Sequence, residues 1–164
     1  MNSTKNDLPA PVRKRIAAIL NARLADAIDL QLQAKQAHWN VKGPQFIALH
    51  ELFDQVASGA LASVDLIAER AVQLGATAEG TLQIVAQRSS LKPYPTEISG
   101  GRDHVEALAN ALAEVASKVR TAIDECEQIG DPTSADVFTE ISRGVDKQLW
   151  LVESHLAIQI GREG

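Results

Sequence analysis

The segment His50-Glu51-Leu52-Phe53-Asp54 carries side chains that could bind a metal ion. It differs by one residue from the HExxH motif of zinc proteases, because Asp54 stands where the second histidine would be. Three interpretations are open: an altered protease motif, an ordinary helix surface, and half of a different metal site. No obvious third ligand follows Asp54, which disfavours the protease.

Two further carboxylates follow on the same side of the helix predicted for this region. At about 100° per residue, Asp54 lies about 40° from His50, Asp65 about 60° and Glu69 about 100°. The rise from Asp54 to Asp65 is roughly 16 Å, so one metal centre cannot include all four side chains. His38 lies across a short turn and is expected to approach His50.

These four residues form two pairs that are symmetric about Gly59-Ala60, within the small-residue run "ASGALA". If two copies of this helix crossed antiparallel there, the first pair of one chain would meet the second pair of the other. This predicts a two-fold dimer with two equivalent sites, each with two histidines and three carboxylates. Such ligands without thiolate suit iron, zinc or manganese. A single-chain di-iron bundle is disfavoured, because E-x-x-H does not occur in the sequence.

Four long segments with helical periodicity must position these side chains. They span about residues 11–39, 45–74, 102–129 and 132–160, and Asp131-Pro132 is a helix-start signal for the last. Residues 81–87 are ambiguous between a short helix and a turn. The first connection is short and the second is long enough to cross the bundle. We therefore predict an all-α, ferritin-like four-helix bundle over residues 11–164, preceded by a flexible tail at 1–10.

The composition fits one soluble domain that binds cations. The chain has 164 residues, 45% of them hydrophobic, and a net charge of −5. Its one cysteine excludes an intrachain disulfide and a cysteine-based zinc site within one chain. It shows no signal peptide and no run of transmembrane length, so a cytoplasmic location and no membrane partner are expected.

Several segments resemble the Dps family, the ferritin-like mini-ferritins of bacteria. They are "AKQAHWNVKGPQFIALHELFD", "VDLIAERAVQLG", "LKPYP" and "SADVFTEISRGVDKQLWLVESHL", and the resemblance extends over about residues 17–160. It implies a hollow homododecamer with ferroxidase centres at two-fold dimer interfaces. The implied metal ligands are His38, His50 and Asp54 from one chain and Asp65 and Glu69 from the other.

The same resemblance implies the chemistry. Fe²⁺ would be oxidised, preferentially with hydrogen peroxide, and ferric mineral would be stored in the cavity; zinc or manganese could occupy the site in vitro. Trp39 would intercept radicals beside the site, whereas core packing is the preferred role for Trp150. Lys35 is expected either to hydrogen-bond near the site or to be solvated. His104 and His155 are assigned to helix ends or the surface.

The segment "GDPTSADVFTE" corresponds in the family to an acidic three-fold pore through which iron passes. Asp131 and Asp136 are the candidate lining residues, with Glu127 less certain, although acidic residues at a helix start are also ordinary caps. Pro132 and Thr133 stand where other members often carry acids, so this pore is expected to be less negative.

Direct DNA binding is the competing function, since some family members compact DNA through a basic tail. Here the tail offers Lys5, Arg13, Lys14 and Arg15, offset by Asp7. Twelve copies would carry a charge of about −60, which repels DNA unless a basic patch overrides it. Iron storage is therefore preferred over DNA compaction.

Overall fold

A computed structural model describes residues 1–156 of the chain. Its helices are α1 (Ala10–Asn40), α2 (Phe46–Gln73), α3 (Leu82–Arg88), α4 (Gly101–Ile129) and α5 (Pro132–Glu153), followed by a 3₁₀ turn (Ser154–Leu156). The ambiguous segment is the short helix α3. Residues 157–160, the predicted end of the fourth long helix, lie outside the described part. The all-α prediction is confirmed.

The four long helices form a ring in the order α1, α2, α5, α4. Helix α1 packs mainly against α2 and α4, and α5 packs mainly against α4 and α2. The backbone N–H of Lys42, in the α1–α2 turn, donates to the Ser99 carbonyl at 3.0 Å. Helix α4 therefore begins beside that turn, and the crossover from α2 to α4 runs the length of the bundle. This is the predicted ferritin-like connectivity.

The core is built from apolar side chains that recur every three or four residues along each helix. Removing this area from water stabilises the bundle by about 25 cal/mol per Å² of apolar surface. The largest fully buried apolar side chains are Phe53, Phe138, Ile16, Leu20, Leu24, Leu30, Leu49, Ile67, Leu74, Leu108 and Leu112.

Helix α1 also buries polar side chains, which hold the crossover. The Asn21 amide donates to the Thr77 carbonyl and accepts from the Glu79 N–H, at 3.0 and 2.9 Å. The Asp26 carboxylate accepts from both the N–H and the hydroxyl of Ser90 at 2.8 Å. Because unpaired buried backbone groups are costly, these contacts fix the path of the crossover over α1.

A buried ion pair joins the α4–α5 corner to α2. Gly130 ends α4 with φ 95°, and the Asp131 carboxylate caps α5 by accepting from the Ser134 N–H. The Arg70 guanidinium donates to both oxygens of Asp131, at 2.9 and 3.0 Å. Asp131 is only 1% exposed. The assignment of Asp131 as a pore residue is therefore wrong, because its carboxylate is enclosed by its own chain.

Residues 1–10, the predicted flexible tail, are mostly exposed and touch the bundle at the end of α2. The Asn2 N–H donates to the Gly75 carbonyl at 2.6 Å, and the Arg13 guanidinium donates to the Leu74 carbonyl at 3.0 Å. Gly75 has φ 83°, and a Cβ there would lie 2.7 Å from the Asn2 carbonyl oxygen. Among residues 1–156, no helix is long and apolar enough to cross a membrane.

Candidate metal centre

Two histidines face each other where α1 ends and α2 begins. The Nδ1 of His38 lies 2.7 Å from the His50 carbonyl oxygen, and the Nδ1 of His50 lies 2.7 Å from the His38 carbonyl oxygen. Their rings stack with centroids 3.7 Å apart and an angle of 22° between the planes. The prediction that His38 approaches His50 is confirmed.

This reciprocal contact selects one tautomer of each ring. A carbonyl oxygen only accepts hydrogen bonds, so each Nδ1 must carry a proton and donate it. In the neutral ring the lone pair then lies on Nε2, which has no hydrogen-bond partner among residues 1–156. A backbone carbonyl that orients Nδ1–H is the usual support of a metal-binding imidazole.

Asp54 lies one turn after His50, and its carboxylate is held by Lys35 of α1. The Lys35 Nζ donates to Asp54 Oδ1 at 2.7 Å. This hydrogen bond is the largest cause that lowers the pKa of the Asp54 carboxyl below its usual 3.8, and the charges of Lys35 and both histidines act in the same direction. Of the two roles open to Lys35, hydrogen bonding near the site is the one observed.

An open depression of about 550 Å³ lies over these side chains. Trp39, 63% exposed, lies beside it, with the Lys35 Nζ 5.7 Å from the ring centroid. The depression is lined by His38, His50, Glu51, Asp54, Gln55 and Ser58. Glu51, Gln55 and Ser58 were not predicted as site residues, although their helical spacing from His50 and Asp54 could have indicated them.

Asp65 and Glu69 lie on α2 but do not reach the depression. Both are exposed, and α2 is one continuous helix from Phe46 to Gln73. At about 1.5 Å per residue, Asp65 remains roughly 16 Å beyond Asp54. Within residues 1–156, no three His, Cys, Asp or Glu side chains converge closely enough to hold a metal ion. The five predicted ligands are therefore not brought together within one described chain.

The small residues midway along α2 serve the chain's own packing. Ala60 is 3% exposed, and the space where Gly59 lacks a Cβ is filled by the Gln148 amide of α5. Gly59 and Ala60 themselves therefore face α5 and the core, so they would not supply the surface of a crossing with a second copy at this point. The residues that face outward at this level are Ser58, Leu61 and Ala62.

The other residues singled out from the sequence differ in how far they are buried. Asp136 and Glu127 are exposed, as pore-lining side chains would need to be. Trp150 is 60% exposed, so its assignment to the core is wrong for the single chain. His155 is exposed at a helix end. His104 also lies near a helix end, as the fourth residue of α4, but it is buried. Burial raises the pKa of the Cys126 thiol to about 12, so this free, buried thiol is protonated at neutral pH.

Comparisons with known proteins give the family. A family model described as a ferritin-like domain matches residues 17–159. The "DNA protection during starvation protein" of Agrobacterium fabrum is 52% identical over 155 residues, which cover 94% of this chain and 96% of that protein. The chain belongs to the Dps family. Solved Dps structures share its fold across nearly the whole length.

The Dps of Mycobacterium smegmatis in a tetragonal crystal form superposes with a TM-score of 0.91 at 28% identity, covering 98% of each chain. The Dps of Microbacterium arborescens in a high-iron form gives 0.85 at 33% identity, covering 96% of this chain and 99% of that one. The family and the ferritin-like bundle predicted from the sequence are thereby confirmed.

Proposed function

We propose that this Dps-family chain is a ferroxidase that oxidises Fe²⁺ with hydrogen peroxide or O₂ and deposits ferric mineral inside a homododecamer. The observation that carries the proposal is the reciprocal His38–His50 contact. It engages both Nδ1 atoms with backbone carbonyls and leaves both Nε2 lone pairs, close to Asp54, available to a metal ion. Removing free iron and peroxide together would protect DNA and the cell from oxidative damage. The solved relative described as a high-iron form supports iron as the metal.

The rest of the site would come from a second copy of α2. His50 and Glu69 are placed symmetrically about the Gly59–Ala60 bond, and so are Asp54 and Asp65. The outward-facing residues obey the same symmetry, since Ile47 mirrors Val72 and Ser58 mirrors Leu61. Ile47, Leu61 and Val72 are each more than half exposed in the single chain. An antiparallel α2–α2 contact would cover these three side chains. It would also bring the histidine half of one chain (His38, His50 and Asp54) to the acidic half of the other chain (Asp65 and Glu69).

The chain's residues have distinct roles in the proposed reaction. The Nε2 atoms of His38 and His50 and the carboxylates of Asp54, Asp65 and Glu69 bind the substrate Fe²⁺. Two Fe²⁺ ions give up one electron each, and hydrogen peroxide takes up both electrons and two protons as its O–O bond breaks to give two waters. The Fe³⁺ formed hydrolyses, releases protons and adds to the mineral. Carboxylates and neutral imidazoles suit both oxidation states of iron.

Peroxide-driven oxidation of Fe²⁺, followed by absorbance under anaerobic conditions, tests this function. His50→Leu is expected to slow oxidation by at least about tenfold, because it removes a ligand. His155→Leu changes an exposed histidine outside the site and should leave the rate unchanged. An unaltered rate in His50→Leu, or no saturable oxidation by the wild-type chain, would contradict the proposal.

Direct DNA binding is the second candidate, favoured by the name "DNA protection during starvation protein" that relatives carry. Few basic side chains near the N-terminus are available to bind DNA phosphates. Arg13 is engaged with the Leu8 and Leu74 carbonyls, which leaves Lys5, Lys14 and Arg15 as the exposed basic residues near the start. Arg162 lies outside the described residues. A gel shift at low salt that disappears when residues 1–7 are deleted would establish DNA binding through the tail.

A further inference from the structure

The α1–α2 turn, residues 41–45, joins the two helix ends that carry His38 and His50. His38 and His50 each donate to the backbone carbonyl of the other. The position of both rings therefore depends on how the end of α1 lies against the start of α2, the two helix ends that this turn joins. A displacement of the turn would break both hydrogen bonds and free both imidazoles to rotate.

The start of α4 packs directly behind this turn. The Lys42 N–H donates to the Ser99 carbonyl at 3.0 Å. A Cβ on Gly101 would lie only 2.7 Å from Leu49 Cδ1, so the absence of a side chain there allows α4 to touch α2. Val41 and Leu49 are both buried in this contact region.

His104 lies at the centre of this packing and is 1% exposed. Its Nδ1 is 2.7 Å from the Tyr94 hydroxyl, which comes from the α3–α4 connection. Its ring centroid is 6.0 Å from that of Tyr94 and 6.5 Å from that of Phe53, which lies on α2 between His50 and Asp54. Burial lowers the pKa of His104 and raises that of Tyr94, so a neutral imidazole meets a protonated phenol.

The other ring nitrogen, Nε2, is the one buried side-chain nitrogen or oxygen with no hydrogen-bond partner among residues 1–156. If the Tyr94 hydroxyl donates to Nδ1, the ring proton lies on Nε2, which then requires an acceptor. The backbone carbonyls of Ile98 and Asn40 are near enough to raise the pKa of His104 against the effect of burial. Asn40 is two residues beyond His38 and ends α1.

We propose that His104, held by Tyr94, is a positioning residue for the His38–His50 half of the site. It packs behind the α1–α2 turn, with Phe53 of α2 on one side and the Asn40 carbonyl at the end of α1 on the other. Neither His104 nor Tyr94 is proposed as a metal ligand. This inference rests on the proposed function of the half-site.

Anaerobic binding of Co²⁺ to the assembled full-length protein, followed by its visible absorption, tests the role. His104→Leu replaces the imidazole with an apolar side chain of similar size and removes both ring nitrogens. It should raise the dissociation constant for Co²⁺ by about tenfold or more, as the loss of a contact that orients a metal ligand does in other proteins. His104→Gln retains an N–H donor and should recover most of the affinity. Tyr94→Phe should fall between wild type and His104→Leu. The KM for Fe²⁺ should follow the same order.

Leu20→Ala is the control for loss of stability alone. Leu20 is fully buried on α1, about 27 Å along the helix from His38. It should lower the melting temperature at least as much as His104→Leu and leave Co²⁺ affinity unchanged. Wild-type affinity in His104→Leu, or an equal loss in Leu20→Ala, would overturn the positioning role alone. A wild-type protein that neither binds Co²⁺ nor oxidises Fe²⁺ would overturn the proposed function and this inference with it.

Discussion

At the scale of single residues, existing hydrogen bonds determine which atoms of His38, His50 and Asp54 remain free to bind a metal ion. Each histidine donates from Nδ1 to a backbone carbonyl, which leaves its Nε2 without a hydrogen-bond partner in the described chain and open to the proposed metal ion. Asp54 uses Oδ1 on Lys35, and its Oδ2 has no partner within the described chain. Lys35 therefore neutralises the carboxylate while no metal ion is bound, and it competes with any cation that approaches.

Lys35→Met should strengthen metal binding at neutral pH. It removes an ammonium that lies 2.7 Å from an Asp54 oxygen and repels cations, so the dissociation constant for Co²⁺ should fall by about threefold or more. Lys14→Met removes the same charge from an exposed position near the start of α1 and should change nothing. Titration of both variants with Co²⁺ at fixed ionic strength measures the two dissociation constants. Weaker Co²⁺ binding in Lys35→Met would contradict this expectation and show that Lys35 stabilises the metal-bound protein.

At the scale of the helices, periodicity predicted much of the site, and long-range contacts account for what it missed. The spacing of His50, Asp54, Asp65 and Glu69 correctly put two pairs on one helix face, because α-helical geometry is regular. It did not reveal that Gly59 packs against Gln148, since the size of a residue does not indicate which neighbour it faces. Similarly, the local sequence identified Asp131 as a helix cap, but its partner Arg70 lies on another helix.

The Arg70–Asp131 pair makes stability depend on pH. Burial opposes ionisation of Asp131, but hydrogen bonds from Ser134 and Arg70 outweigh it and lower its pKa below 3.8. The pair's contribution is therefore fully present above pH 3.8 and is lost as the pH falls through the lower pKa of the folded state. Asp131→Asn should reduce the free energy of unfolding at pH 7 by about 3–5 kcal/mol, because it leaves Arg70 buried and unpaired.

Urea unfolding at a fixed chain concentration measures this difference at pH 7 and at lower pH values. The deficit of Asp131→Asn should shrink once the wild-type carboxyl is protonated. Asp136→Asn, on the exposed side of α5, should unfold like wild type at every pH. Equal effects of the two substitutions would mean that the buried pair is not what stabilises the corner.

At the scale of the whole molecule, the single chain leaves apolar side chains uncovered beside the proposed metal ligands. Ile47, Leu61 and Val72 lie on the same exposed face of α2 as His50, Asp54, Asp65 and Glu69. His104 and the exposed Trp150 show the limit of sequence analysis at this scale. His104 is buried and Trp150 is exposed because of how distant helices and further copies of the chain pack. The spacing of residues along one helix does not contain this information.

Leu61→Glu should prevent assembly without unfolding the chain. Leu61 is 53% exposed near the centre of the α2 symmetry, so the substitution would bury two carboxylates, one from each chain, close to the two-fold axis. Leu82→Glu, on α3, replaces a leucine of similar exposure away from α2 and should assemble normally. Light scattering after gel filtration measures the mass, and circular dichroism confirms helicity. A dodecamer formed by Leu61→Glu would contradict the proposed contact.

The separation of the histidine half from the acidic half along α2 has a consequence for genetics. A chain with His50→Leu still carries a sound acidic half, and a chain with Glu69→Ala still carries a sound histidine half. Neither allele alone should support iron oxidation, yet a mixed dimer assembles one intact centre from its two undamaged halves. Equal co-expression with random pairing should therefore restore about a quarter of the wild-type centres. Two defective alleles would complement each other within one protein.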